Sequence, residues 1–377
     1  MPRYLQQSLF RPTFHRWAIT LMIPITIAAT VPKAQGSEQD IVPADVIADV
    51  IDADVADVID VDVIDVQDET PNAIGEVVEA PEKAAISDIA SEDSNQNGTS
   101  RILQVNPNGG ETFGTLTEAL AIAQPGDTIQ LVAGIYSEET GEQFPLIIPK
   151  GVTIVGNEDT EGKGVEIIGG GAFISRTFAR QNVALVVTQE NIKIGGISVS
   201  NPNVRGTGLW IESGDPIVQF SRFHKSHRDG IFVTGTARPL IKNSLFHKNG
   251  GNGISIARNG GGEIRDSWFQ DTGFGLAIGG NANPKVINNN IVNNNDGLVV
   301  SGSARPLLRG NVIRKNLRSG MVAIANAAPD LGTTADPGQN QWIDNGKYHF
   351  QNATRAAILA VGNQFNGGTN MGSVITK

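Results

Sequence analysis

The residues best equipped for chemistry form a dense polar motif, HKSHRDG at residues 224–230, and His247 follows one repeat later. If they stack, His224 and His247 could act as acid/base groups or bind a metal ion, because imidazole titrates near neutral pH and is a common metal ligand. A metal site would need a third donor, but the next two repeats place Gln270 and Val292 at the equivalent position. The motif therefore favours a structural role at a strand end, and we expect no metal and no cofactor.

Three cations, Lys242, Arg265 and Arg309, recur at one position of successive repeats, where Gln219 and Ile287 fill the other repeats. Each follows a residue that fills the core, so all three are expected to point outward and to stack in a line at the strand spacing of about 4.8 Å. Such a basic stripe could bind the carboxylates or sulfates of an acidic polysaccharide. The alternative is that an exposed sheet face needs polar side chains, and the long stems of Lys and Arg cover apolar surface well.

Two aromatic residues, Trp210 and Phe232, point outward on the strand that begins each repeat. An exposed aromatic pair can stack on sugar rings and would extend a carbohydrate-binding surface. The pair can equally rest beneath a loop. The sequence leaves both alternatives open.

Carboxylates suited to catalysis are sparse in the repeats. A glycosidase needs two carboxyl groups facing each other across a groove. A calcium-dependent polysaccharide lyase needs clustered carboxylates and an Arg or Lys that takes the proton. Neither pattern is visible among the acids of the repeats, which are Glu212, Asp215, Asp229, Glu263, Asp266, Asp271 and Asp296. The sequence therefore favours a protein without turnover.

The elements that position these residues follow a repeat of 22 or 23 residues that begins at Gly208, Gly230, Gly253, Gly275, Gly297 and Gly320. Apolar residues recur in columns, for example Phe223, Phe246, Phe269, Ile291 and Ile313. Small polar residues align at a turn, where they can bond free backbone groups: Ser226, Asn249, Thr272, Asn294 and Asn316. Three short strands per coil and stacked columns predict an all-β fold, a single-stranded right-handed parallel β-helix.

The chain divides into four segments. Residues 1–36 combine arginines, an apolar run and small residues near position 36, which predicts a secretory signal peptide; a membrane-anchoring helix is the alternative. Residues 37–100 carry 18 Asp or Glu against one Lys and predict an acidic disordered linker. Residues 101–150 are expected to cap the N-terminal end, with a helix at residues 115–123, and residues 151–377 to form the coils and the C-terminal cap.

The start of the folded part resembles the opening of pectate-lyase-like β-helix proteins through QPGDT at residues 124–128 and IPKGVTIVG at 148–156. Residues 101–363 most resemble the bacterial family called domain of unknown function 1565, with similar endings at PDLG (329–332) and AVGN (360–363). The resemblance implies the pectin-lyase-like fold and an exported location. It implies no activity, because that fold carries lyases, hydrolases, epimerases and non-enzymes.

The charge is unevenly distributed: residues 101–377 hold 24 Lys or Arg against 21 Asp or Glu, so the folded part is mildly basic. We therefore expect an exported protein of the periplasm, outer surface or extracellular space that binds an anionic polysaccharide or cell-envelope glycan without turnover. We expect no nucleic-acid partner and no stable membrane span after signal cleavage. A polysaccharide lyase or hydrolase with an unrecognised site is the first alternative, and a structural surface protein is the second.

Overall fold

The computed structural model describes residues 100–110 and 113–377, which form a parallel β-solenoid of about 11 turns. Each coil contributes one strand to each of three parallel sheets, which we name A, B and C in the order of their first strands. The prediction of an all-β parallel β-helix is confirmed.

Sheet A contains β1 (Ile102–Val105), β2 (Thr128–Leu131), β5 (Thr153–Val155), β9 (Lys193–Gly195), β12 (Ile217–Gln219), β15 (Leu240–Lys242), β18 (Glu263–Arg265), β21 (Lys285–Ile287) and β24 (Leu307–Arg309). Sheet B contains β3 (Gly134–Ser137), β6 (Val165–Ile168), β10 (Ser198–Ser200), β13 (Arg222–His224), β16 (Leu245–His247), β19 (Trp268–Gln270), β22 (Asn290–Val292), β25 (Val312–Arg314), β27 (Gln341–Ile343) and β30 (Gln364–Asn366).

Sheet C contains β4 (Leu146–Ile147), β8 (Arg180–Val187), β11 (Gly206–Ile211), β14 (Ile231–Val233), β17 (Asn252–Ile256), β20 (Phe274–Ile278), β23 (Asp296–Val300), β26 (Ser319–Ala323) and β28 (Tyr348–Asn352). β7 (Gly171–Ile174) pairs antiparallel with β8, and β29 (Ile358–Leu359) pairs with β31 (Val374–Ile375).

Columns of apolar side chains, one from each coil, fill the interior. In sheet B, Phe246 is fully buried, and its ring stacks on Phe223 and Phe269 with centroid distances of 5.4 Å and 4.7 Å. The predicted register, in which Phe246 lies between these two rings, is confirmed. Because side chains alternate between the two faces of a strand, the inward column also fixes which residues point outward.

Two ladders of polar side chains stabilise the turns on either side of sheet B. The predicted ladder includes Asn294, whose amide donates to Asn316 Oδ1 and to the carbonyl oxygen of Phe269, both at 3.1 Å. A second ladder lies at the turn from sheet A to sheet B and consists of Ser221, Ser244, Ser267, Asn289, Asn311, Asn340 and Asn363. These bonds satisfy buried backbone groups that no strand partner reaches.

Within residues 100–110 and 113–377 the structure has one α-helix, α1 (Leu116–Ile122), which lies close to β1, β2 and β4. The Thr115 hydroxyl oxygen accepts a hydrogen bond from the Glu118 amide, and the Glu118 carboxylate accepts one from the Thr115 amide. Together these two bonds form a capping box. The Glu142 carboxylate also accepts hydrogen bonds from the amides of Leu116 and Thr117, at 2.6 Å and 2.9 Å. The helix buries its apolar side chains in the core at the start of the solenoid, as predicted for an N-terminal capping helix.

The predicted signal peptide at residues 1–36 and nearly all of the predicted acidic linker at residues 37–100 lie outside the described residues. Within the described part of the chain, no helix has the length and apolar character needed to cross a membrane.

Candidate functional site

The strand register brings the predicted basic stripe together on the outer face of sheet A. Lys242 and Arg265 occupy the same register position on neighbouring strands, and Ile287 occupies that position on the strand between Arg265 and Arg309. Gln219 precedes Lys242 in the same row. The inward side chains beside these residues are fully buried, so the outward direction of the cations follows from the alternation within each strand.

Carboxylates of the same chain partly neutralise this stripe. The Arg265 guanidinium lies 3.1 Å from Glu263 Oε1 and donates to Asp266 Oδ2 at 2.8 Å. Lys242 forms no ion pair with any of the described residues. Arg265 and Lys242 are both half-buried, so their stems cover the sheet while their charged ends reach solvent.

Arg309 has a second role, because its side chain fixes a loop. Its guanidinium lies 2.9 Å from Asp330 Oδ1 and 2.6 Å from Asp336 Oδ2, and it also donates to the carbonyl oxygen of Asp330. The hydrogen bond from Arg309 holds the pKa of Asp336 below its usual range. Because the Asp330 and Asp336 carboxylates accept hydrogen bonds from the Arg309 guanidinium, few of its N–H groups are left for a ligand. Arg309 is therefore the least available cation of the stripe.

The most exposed aromatic side chain among the described residues, Trp268, was not identified in the sequence analysis. Trp268 lies on the outer face of sheet B and is 41% exposed, whereas every other aromatic side chain in the described residues is less exposed. It stands in the outward row between Leu245 and Asn290, and Gln270 points outward from the same strand. The alternation around the buried Phe269 would have identified Trp268 as an outward residue.

Trp268 and Arg265 lie three residues apart, on the two sides of the tight turn that joins sheet A to sheet B. We use the name corner surface for the outward side chains on either side of these turns: Lys242, Arg265, Leu245, Trp268 and Gln270. The corner surface combines an exposed indole, an amide and two cations. It can therefore stack on a sugar ring and bond to hydroxyl or carboxylate groups.

A polar cleft lies further along the solenoid, towards β2 and β5. Its volume is about 510 Å³, and its lining includes Gln130, Glu158, Asp159 and Lys163. Glu158 also accepts a hydrogen bond at 2.8 Å from Gln219, the residue that precedes Lys242 in the outward row of sheet A. Gln219 thus links the cleft to the outward row of sheet A in which the basic stripe lies.

The two predicted histidines stack on the outer face of sheet B, with ring centroids 5.0 Å apart. His224 Nε2 lies 3.3 Å from Glu166 Oε2, and this hydrogen bond lowers the pKa of Glu166. Burial, together with the charge of His224, lowers the pKa of His247 to about 4. The described residues contain no group of three or more His, Asp or Glu side chains that could hold a metal ion.

Trp210 and Phe232 do lie on the outer face of sheet C, but a loop covers them. Their rings stack at 4.3 Å, each is 1% exposed, and Phe178 packs edge-on against both. Glu212 holds that loop, because it accepts hydrogen bonds from Ser175 and from the backbone of Thr177. Of the two alternatives, burial beneath a loop is therefore correct, and sugar stacking by this pair is wrong because neither ring face is accessible.

Two acids, Asp229 and Asp296, are buried on the same outer face of sheet C, and burial raises the pKa of each. Asp229 accepts hydrogen bonds from Asn252 and Ser255, and Asp296 pairs with Arg318 at 2.6 Å. Three strand spacings separate the two acids, or about 14 Å. That is too far for the two carboxyl groups of a glycosidase, which lie within about 10 Å of each other.

Solved structures with a similar fold include a pectate lyase, Pel9A, with a TM-score of 0.52, 14% identity, and coverage of 74% of this chain and 79% of that chain. A Yersinia enterocolitica family 28 exopolygalacturonase has a TM-score of 0.44 and 14% identity, and the match covers 74% of this chain and 78% of that chain. A double mutant of the periplasmic alginate epimerase AlgG has a TM-score of 0.41 and 15% identity, and the match covers 70% of this chain and 83% of that chain. The likeness to the pectate lyase supports a pectin-lyase-like fold, and at this identity it shows the fold alone.

No curated protein matches the sequence. A family model described as "Protein of unknown function (DUF1565)" matches residues 105–369, which is most of the chain. The extent of this match agrees with the family resemblance at the two ends of the folded part. The chain therefore belongs to the DUF1565 family.

Proposed function

We propose that this protein is exported and binds an anionic polysaccharide at its corner surface without cleaving it. The observation that carries the proposal is Trp268, an aromatic side chain that is 41% exposed on a rigid sheet. An indole held on a strand presents a flat apolar face at little entropic cost, because its neighbours in the sheet already fix its backbone. Sugar rings have apolar faces that such a surface can bind.

Charge at the corner surface supports an acidic polymer rather than a neutral one. Lys242 forms no ion pair with the part of the chain that the structure describes, and Arg265 keeps donors beyond those that meet Glu263 and Asp266. Strand spacing places these cations about 4.8 Å apart, so successive acidic groups of one polymer can each meet a cation. The row continues through Gln219 to the polar cleft, which provides a place for one end of the bound segment.

The scarcity of carboxylates on sheet B supports binding without hydrolysis. On the described strands of this sheet, Glu166 is the single acidic residue, and it is engaged by His224. Hydrolysis of a glycosidic bond normally requires two carboxyl groups on opposite sides of the bond. A polymer bound at Trp268 would meet no such pair on the strands beneath it.

A second candidate function is polysaccharide lyase activity near His224. A histidine oriented by a carboxylate is a suitable general base, and Arg222 lies on the same strand and face as His224. Arg222 is already paired with Glu161 at 3.0 Å, so it is less available to a substrate carboxylate. Binding without turnover is therefore the function that the geometry supports better.

The experiment is a panel of immobilised uronic-acid, sulfated and neutral polymers, beginning with pectate. We expect retention on anionic polymers, weakening as ionic strength rises above about 0.1 M, where the Debye length is about 10 Å. Arg265→Glu should reduce retention, and Lys347→Glu, on the opposite side of the coils, should not. Equal retention of the wild type and Arg265→Glu would contradict the proposal, and new unsaturated ends would establish the lyase instead.

A further inference from the structure

The two stacked histidines on the outer face of sheet B belong to a basic cluster that the corner surface does not include. A His-Lys dipeptide lies at the end of β13, at residues 224–225, and recurs one coil later at residues 247–248. The two imidazole rings are nearly parallel, with an interplanar angle of 6°. Lys225 and Lys248 lie at the turns, with positive φ values of 52° and 57° and with exposed side chains. We name these four residues the His–Lys cluster.

The two histidines of the cluster differ in their hydrogen-bond partners. His224 Nε2 lies within hydrogen-bond distance of Glu166 Oε2. Neither ring nitrogen of His247 forms a hydrogen bond with the described part of the chain. These two nitrogens are also absent from the buried atoms that lack a partner, so they are open to solvent. His247 therefore has ring nitrogens that a ligand can reach.

The charges with the largest effect on His247 are all positive. They belong to Arg222 and His224 on the neighbouring strand and to Lys225 and Lys248 at the two turns. Burial is the largest cause that lowers the pKa of His247, and each of these four charges lowers it further. A nearby anion would favour the protonated imidazole, because an opposite charge stabilises the charged form.

The carboxylates around the cluster leave its lysines unpaired. Glu161 pairs with Arg222 at 3.0 Å, and Glu166 is engaged by His224. Asp271 is exposed at the next turn and forms no ion pair with the described residues. Lys225 and Lys248 likewise form no ion pair within the described part of the chain. The cluster can therefore accept an anion from outside the chain.

The His–Lys cluster adjoins the exposed indole of the corner surface. His247 occupies the same register position as Gln270, and Leu245 occupies that of Trp268. His247 is therefore a diagonal neighbour of Trp268, with the two Cα atoms about 8 Å apart from the rise and spacing of the strands. A sugar ring stacked on Trp268 has the basic stripe on the side of sheet A and the His–Lys cluster on the other side.

We propose that the His–Lys cluster is a second anion subsite of the corner surface, and that His247 takes up a proton when an acidic group of the glycan binds there. This inference rests on the proposed glycan binding. The two lysines come from successive coils, about 4.8 Å apart, so both can meet one acidic group. Protonation makes both ring nitrogens of His247 donors.

Proton uptake makes the affinity for the glycan depend on pH. The bound anion raises the pKa of His247, so the complex holds more protons than the free protein. Lowering the pH below about 6.5, the ordinary pKa of histidine, therefore favours the complex. The coupling is reciprocal, because a ligand that strengthens proton binding is itself bound more tightly by the same factor.

Retention of dextran sulfate at pH 7 and pH 4.5 tests the subsite. Sulfate esters stay charged at both pH values, so only the charge of the protein changes. We expect the affinity of the wild type to rise about tenfold more than that of His247→Gln, since the titration of other carboxylates is common to both proteins. Circular dichroism at pH 4.5 verifies that both are folded. The matched control is His227→Gln, an exposed histidine of the turn after β13, which should keep the full gain.

Lysine variants at pH 7 test the position of the subsite and keep the test valid if His247→Gln alters folding. Lys248→Gln should weaken retention by up to about fivefold, the upper range for an exposed ion pair. Lys315→Gln should have little effect, because Lys315 has the same turn position three coils further on, beyond Trp268.

Two results would overturn this subsite: an equal pH gain in the wild type and His247→Gln, or equal effects of Lys248→Gln and Lys315→Gln. The proposed glycan binding fails in a different way. It is overturned if the wild type is retained at neither pH, or if retention at pH 7 does not depend on Trp268.

Discussion

Replacing Phe246 by alanine tests the packing that holds every outward residue in place. Phe246 is fully buried and stacks on Phe223 and Phe269 with interplanar angles of 11° and 5°. A buried Phe→Ala change costs about 3–5 kcal/mol through lost burial and the cavity that remains. Each aromatic pair adds about 0.5–1.5 kcal/mol, and both pairs are lost here. We therefore expect Phe246→Ala to lower the free energy of unfolding by about 4–5 kcal/mol, near the upper end of the range for a buried Phe→Ala change.

Urea unfolding followed by circular dichroism measures this loss as a lower midpoint at an unchanged slope. The control is Leu317→Ala, because Leu317 is 72% exposed at a turn and its truncation should cost under about 0.5 kcal/mol. If Phe246→Ala and Leu317→Ala shift the midpoint equally, the aromatic column does not stabilise the coils and the register drawn from it is wrong.

Three further predictions concern the ladder, the histidine stack and the capping helix. Asn294→Ala leaves two backbone groups of the preceding coil, the Phe269 carbonyl and the Thr272 amide, without these partners and should lower the free energy of unfolding by about 2–4 kcal/mol in the same urea assay. His247 takes up its proton near pH 6.5 when unfolded and near pH 4 when folded, so stability should fall as pH drops through that window. His247→Gln should remove that loss, about 1–2 kcal/mol after discounting for solvent screening, as measured by unfolding at pH 7 and pH 4. Glu142→Ala removes the acceptor for the first amides of α1 and should cost about 1 kcal/mol, seen as a lower melting temperature.

The solenoid was predictable from the sequence because each coil repeats the same chemistry. The ladder of Phe223, Phe246 and Phe269 needs identical spacing along the chain, and this spacing is visible without a structure. The Ser/Asn ladder between sheets A and B was equally regular but was missed, since it begins with Ser221, Ser244 and Ser267, which resemble ordinary turn residues.

The candidate site was less predictable, because it depends on contacts between parts of the chain that share no period. The row of Lys242, Arg265 and Arg309 follows from the repeat, but the loop acids that engage Arg309 come from the irregular segment after β26. Phe178, which covers Trp210, likewise lies outside the regular coils. Strand alternation also identifies Trp268 as an outward residue once the Phe269 column is assigned.

Tryptophan fluorescence during glycan titration tests the central claim most directly. Beyond the predicted signal peptide the chain has three tryptophans, of which Trp210 and Trp342 are buried and Trp268 is exposed. A polysaccharide that covers Trp268 should shift its emission to shorter wavelength with a saturable dependence on concentration, and no unsaturated or reducing ends should accumulate. Trp268→Leu should abolish the shift and weaken binding by about 1–3 kcal/mol, the range found for bases stacked on aromatic side chains. An unchanged emission shift in Trp268→Leu, or unchanged affinity, would contradict the corner surface as the binding site.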